Sequence, residues 1–340
     1  MTELEGLDLA ALDRHLREVG VPRSGDLRAE LIAGGRSNLT FLVADDASEW
    51  VLRRPPLHGL TPSAHDMARE YRVVAALAGT AVPVARAVTM SNDDSVLGAP
   101  FQMVERVRGR VVRHAPELAA LGDQNTINAT VDALIQVLAD LHEVDPESVG
   151  LGDFGKADGY LERQVRRWGS QWDLVKREDD PADADVRKLH QRLAESVPAQ
   201  YRAAIVHGDY RIDNTILDEH DPTKVAAVLD WEMSTLGDPL SDAALMCVYR
   251  LPVFNAVHDD AAWACDLMPP TEDLAQRYAL ASGKPLDHWD FYMALGYFKI
   301  AIIAAGIAYR ARAGGGVAEG TDEVDRAVRP FIAAGLQALS

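Results

Sequence analysis

Apolar and polar residues alternate over three successive stretches near the start of the chain, DLRAELIAGG, SNLTFLVAD and EWVLRRPP, and turn-forming residues close each one. Such alternation predicts strands with one buried face, here an antiparallel meander. In HDMAREYRVVAALAG the period changes. Met67, Tyr71, Val74 and Leu77 follow a three-to-four spacing, which predicts an amphipathic helix stopping at Gly79. VARAVTM and APFQMVERV return to strand character, so residues up to about 105 predict a small sheet with one helix laid across it. A further amphipathic helix is expected in MTELEGLDLAALDRHLREVG at the N-terminus.

From about residue 110 the helical period dominates, in TINATVDALIQVLADLHEVD, GYLERQVRRWGSQWDLVKR and ADVRKLHQRLAESV. One interruption, AAIVHGDYRIDNTILDEHDPTKVAAVLDWEM, alternates short apolar runs with polar turns and reads as small strands and loops. Helix resumes from Pro239, and DHWDFYMALGYFKIAIIAAGIAYRARAGGG ends in a glycine cluster. The fold class is therefore α+β, with a small antiparallel sheet region over 1–106 and a larger, mainly helical region over 107–340.

Composition narrows the function. A formal net charge of −18 disfavours attraction to nucleic acid or to an anionic membrane. The most apolar run, Leu295 to Tyr309, carries Lys299 and falls short of the roughly 20 apolar residues of a membrane span, so a buried helix is expected. Two cysteines, Cys247 and Cys265, form neither a CxxC pair nor a metal spacing, and no export signal is evident; a cytoplasmic location is expected. Oligomeric state is not legible in the chain.

Chemistry concentrates in HGDYRIDNTILD, residues 207–218, and VLDWE, residues 228–232. Asp209 lies five residues before Asn214 and twenty-one before Asp230. The spacing HxDxxxxN matches the catalytic loop of protein kinases, where the aspartate receives the substrate hydroxyl proton and the asparagine holds magnesium. Phosphoryl transfer spreads negative charge over phosphate oxygens, which hard cations neutralise and hard oxygen ligands hold in place. A lone aspartate between short strands would be read as a turn former. Three such residues at this spacing, each beside an apolar strand-like run, point to a site.

With these motifs the chain resembles the aminoglycoside phosphotransferase and choline kinase-like family, whose hallmark is an HGDxxxxN loop followed by IDWE or LDWE. The resemblance extends over nearly the whole chain and implies a two-lobed protein-kinase-like fold. It implies ATP and Mg2+ as cofactors, Asp209 as catalytic base, and Asn214 and Asp230 as magnesium ligands. GDPLSDAA, residues 237–244, looks like the family's GDPxxDLA segment: Asp238 is expected to cap the next helix with Pro239 at its first position, and Asp242 to brace the catalytic loop. His207 and His142 read as structural.

On the nucleotide side, GGRSN at 34–38 lies between two predicted strands, and Ser37 is the candidate for phosphate contact. EWVLRRPP occupies the place of the kinase strand whose lysine pairs with the phosphates and with a glutamate on the following helix. Arginine stands there instead. Arg53 ends the apolar run WVL and takes the lysine's place, Arg54 faces the other side of the strand, and Glu70 is the expected partner. APFQMVERVRG looks like the strand entering the hinge, so adenine is expected at Glu105 and Val107, with Met103 either lining that pocket or lying in the core.

The acceptor is expected to be the hydroxyl of a small molecule, with Trp168, Trp172, Trp231, Glu232, Tyr249 and Arg250 as candidates to meet it. HGDYRIDN together with LDWEMSTLGDP looks most like the branch fused to acyl-CoA dehydrogenases, which implies hydroxylated acyl thioesters over aminoglycosides or choline-like alcohols. A protein kinase is disfavoured, because GDP follows Asp230 within eight residues and leaves no room for a long activation segment. A non-catalytic nucleotide-binding module is the alternative from another class, motivated by Arg53.

Overall fold

The computed structural model describes residues 4–33, 38–57, 66–315 and 321–340. They divide into two compact units, one of residues 1–109 with 226–234, the other of 110–225 with 235–340. The boundary expected at 106 thus falls three residues earlier, and the 226–234 segment departs from the sequence reading by joining the first unit. Long-range contacts explain this. Val228 N–H donates to the Pro83 carbonyl at 2.8 Å, and the Arg69 guanidinium donates to the Ser234 carbonyl at 3.0 Å.

The first unit runs α1 (Leu9–Glu18), β1 (Arg28–Ala33), β2 (Leu39–Ala44), β3 (Glu49–Arg54), α2 (Met67–Leu77), β4 (Ala87–Ser91), α3 (Asp94–Leu97) and β5 (Phe101–Glu105). The strands form one antiparallel sheet in the order β1-β2-β3-β5-β4. Asp8 starts α1 by accepting from the amides of Ala10 and Ala11, and Asp66 starts α2 by accepting from Arg69 N–H. Gly79, at φ 84°, follows the end of α2 in a backbone region that a side chain would strain.

The strand period decides what each face of this sheet does. Trp50 and Leu52 of β3 and Phe101 and Met103 of β5 bury against Leu12 and Leu16 of α1. Met103 is therefore core, not pocket lining. The intervening residues, Arg53 and Gln102, are register partners on the opposite face, and both reach Glu70 of α2. Arg54 faces the α1 side as expected, buried, donating to the carbonyls of Leu97 at 2.7 Å and of Gly6.

The second unit contains α4 (Ala115–Ala119), α5 (Gln124–Glu143), α6 (Tyr160–Val175), α7 (Asp183–Glu195), β6 (Ala204–Val206) and β7 (Thr215–Leu217). After β8 (Val225–Val228), whose last three residues belong to the first unit, come β9 (Thr235–Gly237), α8 (Pro239–Val248), α9 (Thr271–Ser282), α10 (Trp289–Arg310) and α11 (Thr321–Ala338). β6 and β9 pair antiparallel, with Ile205 opposite Leu236. Asp238 caps α8 by accepting from Leu240 N–H, and Pro239 fills its first position, as the sequence indicates. α10 is long and apolar enough to cross a membrane by composition, yet it is mostly buried and packs against α6, α8 and α11.

Candidate active site

In the second unit the HGDYRIDN loop leaves β6 at His207, passes Gly208 at φ 85°, and closes in a single 3₁₀ turn over Ile212–Asn214 before β7. Asp242, buried on α8, holds its start. One carboxylate oxygen accepts the His207 N–H at 2.6 Å and the other accepts the Gly208 N–H at 2.8 Å. His142 of α5, wholly buried, lies with Nε2 3.3 Å from Asp242 and Nδ1 2.7 Å from the Tyr278 hydroxyl. Burial alone would raise the pKa of Asp242, but bonding to His142 and the charges of His142 and His207 hold it below the ordinary aspartate value. Asp242 braces the loop, and His142 is structural.

Asp209 is met from several directions. The Asn214 carboxamide donates to its Oδ2 at 3.0 Å and to its backbone carbonyl at 2.8 Å. The Tyr249 hydroxyl, just past the end of α8, donates to Oδ1 at 2.5 Å, and the Arg211 guanidinium lies 3.4 Å from Oδ2. Arg211 also lies over the rings of Tyr249 and Phe254, 5.3 and 5.5 Å from their centroids. Burial pushes the Tyr249 phenol well above its ordinary value and Asp209 adds to this, so Tyr249 stays a neutral donor. Because Asn214 donates through nitrogen, its side-chain oxygen is the atom suited to a hard cation.

In the first unit, Arg53 donates to Glu70 Oε2 at 2.9 Å, and its second terminal nitrogen lies 3.5 Å from Asp230 Oδ1. Gln102 donates to the same Glu70 oxygen at 2.5 Å. Asp230 adopts a left-handed backbone, φ 60° and ψ 60°, which is costly for a residue with a Cβ. Carboxylate oxygens of Glu70, Asp230 and Glu232 lie within 4.8 Å of one another, and Asp230 Oδ1 is buried without a hydrogen bond. An all-oxygen donor set of this kind fits magnesium.

Burial raises the pKa of the Glu70 carboxyl; Arg53 opposes the shift and the Asp230 carboxylate adds to it. A carboxyl with a raised folded-state pKa stabilises the fold fully below its unfolded value, about 4.3, and that contribution fades as pH rises through the folded value. In the metal-free protein Glu70 is therefore expected to contribute a loss of stability as pH rises above about 4.3, and Glu70→Gln removes that contribution from the pH profile. Urea midpoints measured in EDTA across that range check it, and identical slopes for both proteins would refute it.

The remaining candidates separate clearly. Glu105 ends β5, where its N–H donates to the Arg86 carbonyl at 2.8 Å and its carboxylate pairs with Arg86. Val107 follows the strand, half-buried. Ser37 lies outside the described residues. Trp172 and Trp231 are buried and bonded to Asp183 and to the Val228 carbonyl, and Arg250 binds the carbonyls of Pro269, Trp263 and Met268. Of the aromatic candidates, Tyr249 is the one placed on Asp209. From the sequence Tyr249 is only an acceptor candidate, and neither Gln102 nor Arg211 has a role, although Arg211 lies within HGDYRIDN.

Residues 28–295 match the phosphotransferase enzyme family. Mouse acyl-CoA dehydrogenase family member 10 is 35% identical over 311 residues, covering 89% of this chain and 28% of the mouse protein. Human acyl-CoA dehydrogenase family member 11 is 32% identical over 340 residues, covering 96% and 42%. The chain thus spans less than half the length of these curated relatives. Among solved structures, a Ralstonia eutropha protein provisionally described as an aminoglycoside phosphotransferase superposes with a TM-score of 0.83 at 33% identity over 98% of each chain. Aminoglycoside phosphotransferase APH(4)-Ia, in ternary complex with AMP-PNP and hygromycin B, shares the fold at a TM-score of 0.62 and 18% identity, over 96% of this chain and 98% of its own. The expected kinase-like fold is the fold of these proteins.

Proposed function

Because the chain belongs to the phosphotransferase enzyme family, we propose that it transfers the γ-phosphoryl group of ATP to a hydroxyl of a small molecule, with Asp209 accepting the hydroxyl proton. The observation that carries this reading is the loop itself. Asn214, Tyr249 and Arg211 converge on one carboxylate, and Asp242 fixes the backbone that presents it. Aspartate is a weak base, which suits a transfer in which the proton leaves the hydroxyl late and positioning contributes most of the rate.

Within the second unit Asn214, and within the first unit Asp230 with Glu70 and Glu232 beside it, are the residues read as magnesium ligands, and bound magnesium would supply charge neutralisation for the phosphate oxygens. Arg53, tied to Glu70, takes the lysine's role on the phosphates, where its planar fork can bind in bidentate fashion. The acceptor we favour is a hydroxylated acyl thioester, supported by identity to proteins named as acyl-CoA dehydrogenase family members. An aminoglycoside is the second reading, supported by the Ralstonia relative. A cytoplasmic location belongs to the same proposal, supported by two free cysteines.

Mass-spectrometric detection of phosphorylated product tests this. The chain is incubated with ATP and a panel of hydroxyacyl-CoA species, aminoglycosides, choline and sugars, with magnesium or EDTA. The expected result is magnesium-dependent phosphorylation of a hydroxyacyl-CoA. ATP binding with no product from any acceptor would favour the non-catalytic module.

A further inference from the structure

Gly208 is the weakest point of the catalytic loop. At φ 85° and without a Cβ, it opposes rotation of its two flanking peptides less than any other residue would. Such rotation would swing Asp209 away from Asn214 and Tyr249. The peptide before Gly208 is fixed by Asp242, which accepts the Gly208 N–H at 2.8 Å. The peptide after it is fixed on one side by the Asp209 N–H, 3.2 Å from His207 Nδ1. Its carbonyl side is held by a residue far along the chain: Lys299 Nζ donates to Gly208 O at 2.8 Å.

Lys299 is an unusual residue to find there. It is the sole charged side chain between Asp290 and Arg310 on α10, the long apolar helix. Among the described residues no carboxylate lies within salt-bridge distance of it; its ammonium sits 5.9 Å from the Trp168 ring centroid of α6. Burial lowers its pKa, Asp209 and Asp242 oppose the shift, and Arg167 adds to it. Lys299 is half-buried, and an apolar side chain of similar length would pack its stem as well, so packing does not account for the charge.

We propose that Lys299 is a positioning residue for Asp209, clamping the Gly208–Asp209 peptide from α10 with a charge-assisted hydrogen bond. The proposal rests on the reading of Asp209 as the base. A cation donates more strongly than a neutral group, so the clamp holds the carbonyl against the flip that glycine permits. It acts through Asp209 and leaves nucleotide binding unchanged.

Two variants test it, Lys299→Met, which keeps the length and removes the charge, and Lys299→Arg, which keeps the charge. Phosphate release from Mg-ATP without acceptor gives kcat and KM, and hydrogen exchange resolved by NMR reports the amides of Gly208 and Asp209. Lys299→Met is expected to lower kcat ten- to a hundredfold, an order-of-magnitude figure for a misplaced catalytic group. KM for ATP should stay within about twofold. Exchange at Gly208 and Asp209 should speed up while β5 stays protected, and Lys299→Arg should restore most of both. Wild-type kcat and wild-type loop exchange in Lys299→Met would overturn the proposal. Faster exchange throughout α8 and α10 with no local excess at the loop would also overturn it, by showing a packing role. If the wild-type chain releases no phosphate without an acceptor, loop exchange alone decides the clamp, and the acceptor panel above decides the base assignment.

Discussion

Asp209→Ala is expected to lower phosphoryl transfer by on the order of 10² to 10⁴-fold, the range for removal of a positioned general base, while ATP affinity changes little. The asymmetry follows from what Asp209 touches. Among the described residues its carboxylate meets Asn214, Tyr249 and Arg211 of its own unit, while the set expected to meet the nucleotide, Arg53, Glu70 and Asp230, is tied together within the first unit. Alanine would also leave the buried Tyr249 hydroxyl without its acceptor. Asp209→Asn comes closer to isolating the chemistry, because its one amide oxygen can keep the bond from Tyr249 and its backbone carbonyl the bond from Asn214, while it cannot take a proton. Single-turnover kinetics with ATP in excess should show both variants losing the chemical step, with ATP titrations near wild type. Transfer at the wild-type rate in Asp209→Asn would remove Asp209 from the base role.

Local spacing made part of this site legible and distance along the chain hid the rest. Asp209 and Asn214 sit five residues apart on one loop, so a sequence pattern carries their geometry directly. Arg53 and Arg54 could be assigned to opposite faces because a strand alternates with a period of two, and the sheet places them so. Glu70 likewise could be paired with Arg53, because the kinase pattern puts the partner of the strand's cation on the following helix. Tyr249 reaches Asp209 across 40 residues and Lys299 reaches Gly208 across 91, from helical segments where tyrosine and lysine are ordinary residues. Nothing in their local pattern separates such contacts from core packing or a solvated face. The joining of 226–234 to the first unit was hidden for the same reason, since a contiguous boundary cannot represent a segment held by Pro83 and Arg69. Glu105 shows the converse: strand character was legible, but the partner of its amide depends on sheet register.

Asp230→Asn is expected to separate stability from activity. Three carboxylates, Glu70, Asp230 and Glu232, crowd within 4.8 Å, and Arg53 is the cation bonded to Glu70 and close to Asp230. Without a divalent ion, like charges at that distance repel and the buried Oδ1 of Asp230 lacks a hydrogen bond, so neutralising Asp230 should raise the Tm of the metal-free protein. With magnesium the order reverses. An ion that binds the folded state alone stabilises it by about 2.7 kcal/mol at a hundred times its Kd, and the variant forfeits most of that gain. Loss of the ligand should slow phosphoryl transfer by on the order of a thousandfold, since a bound ion contributes several kcal/mol of charge stabilisation at the phosphates. Thermal melts of both proteins in EDTA and in rising magnesium, read beside turnover, make the test. The expected pattern is a variant that melts higher than wild type in EDTA, gains little from magnesium and turns over slowly. A wild-type melt that magnesium leaves unmoved would instead mean that the carboxylates are held by Arg53 alone and that Asp230 is not a metal ligand.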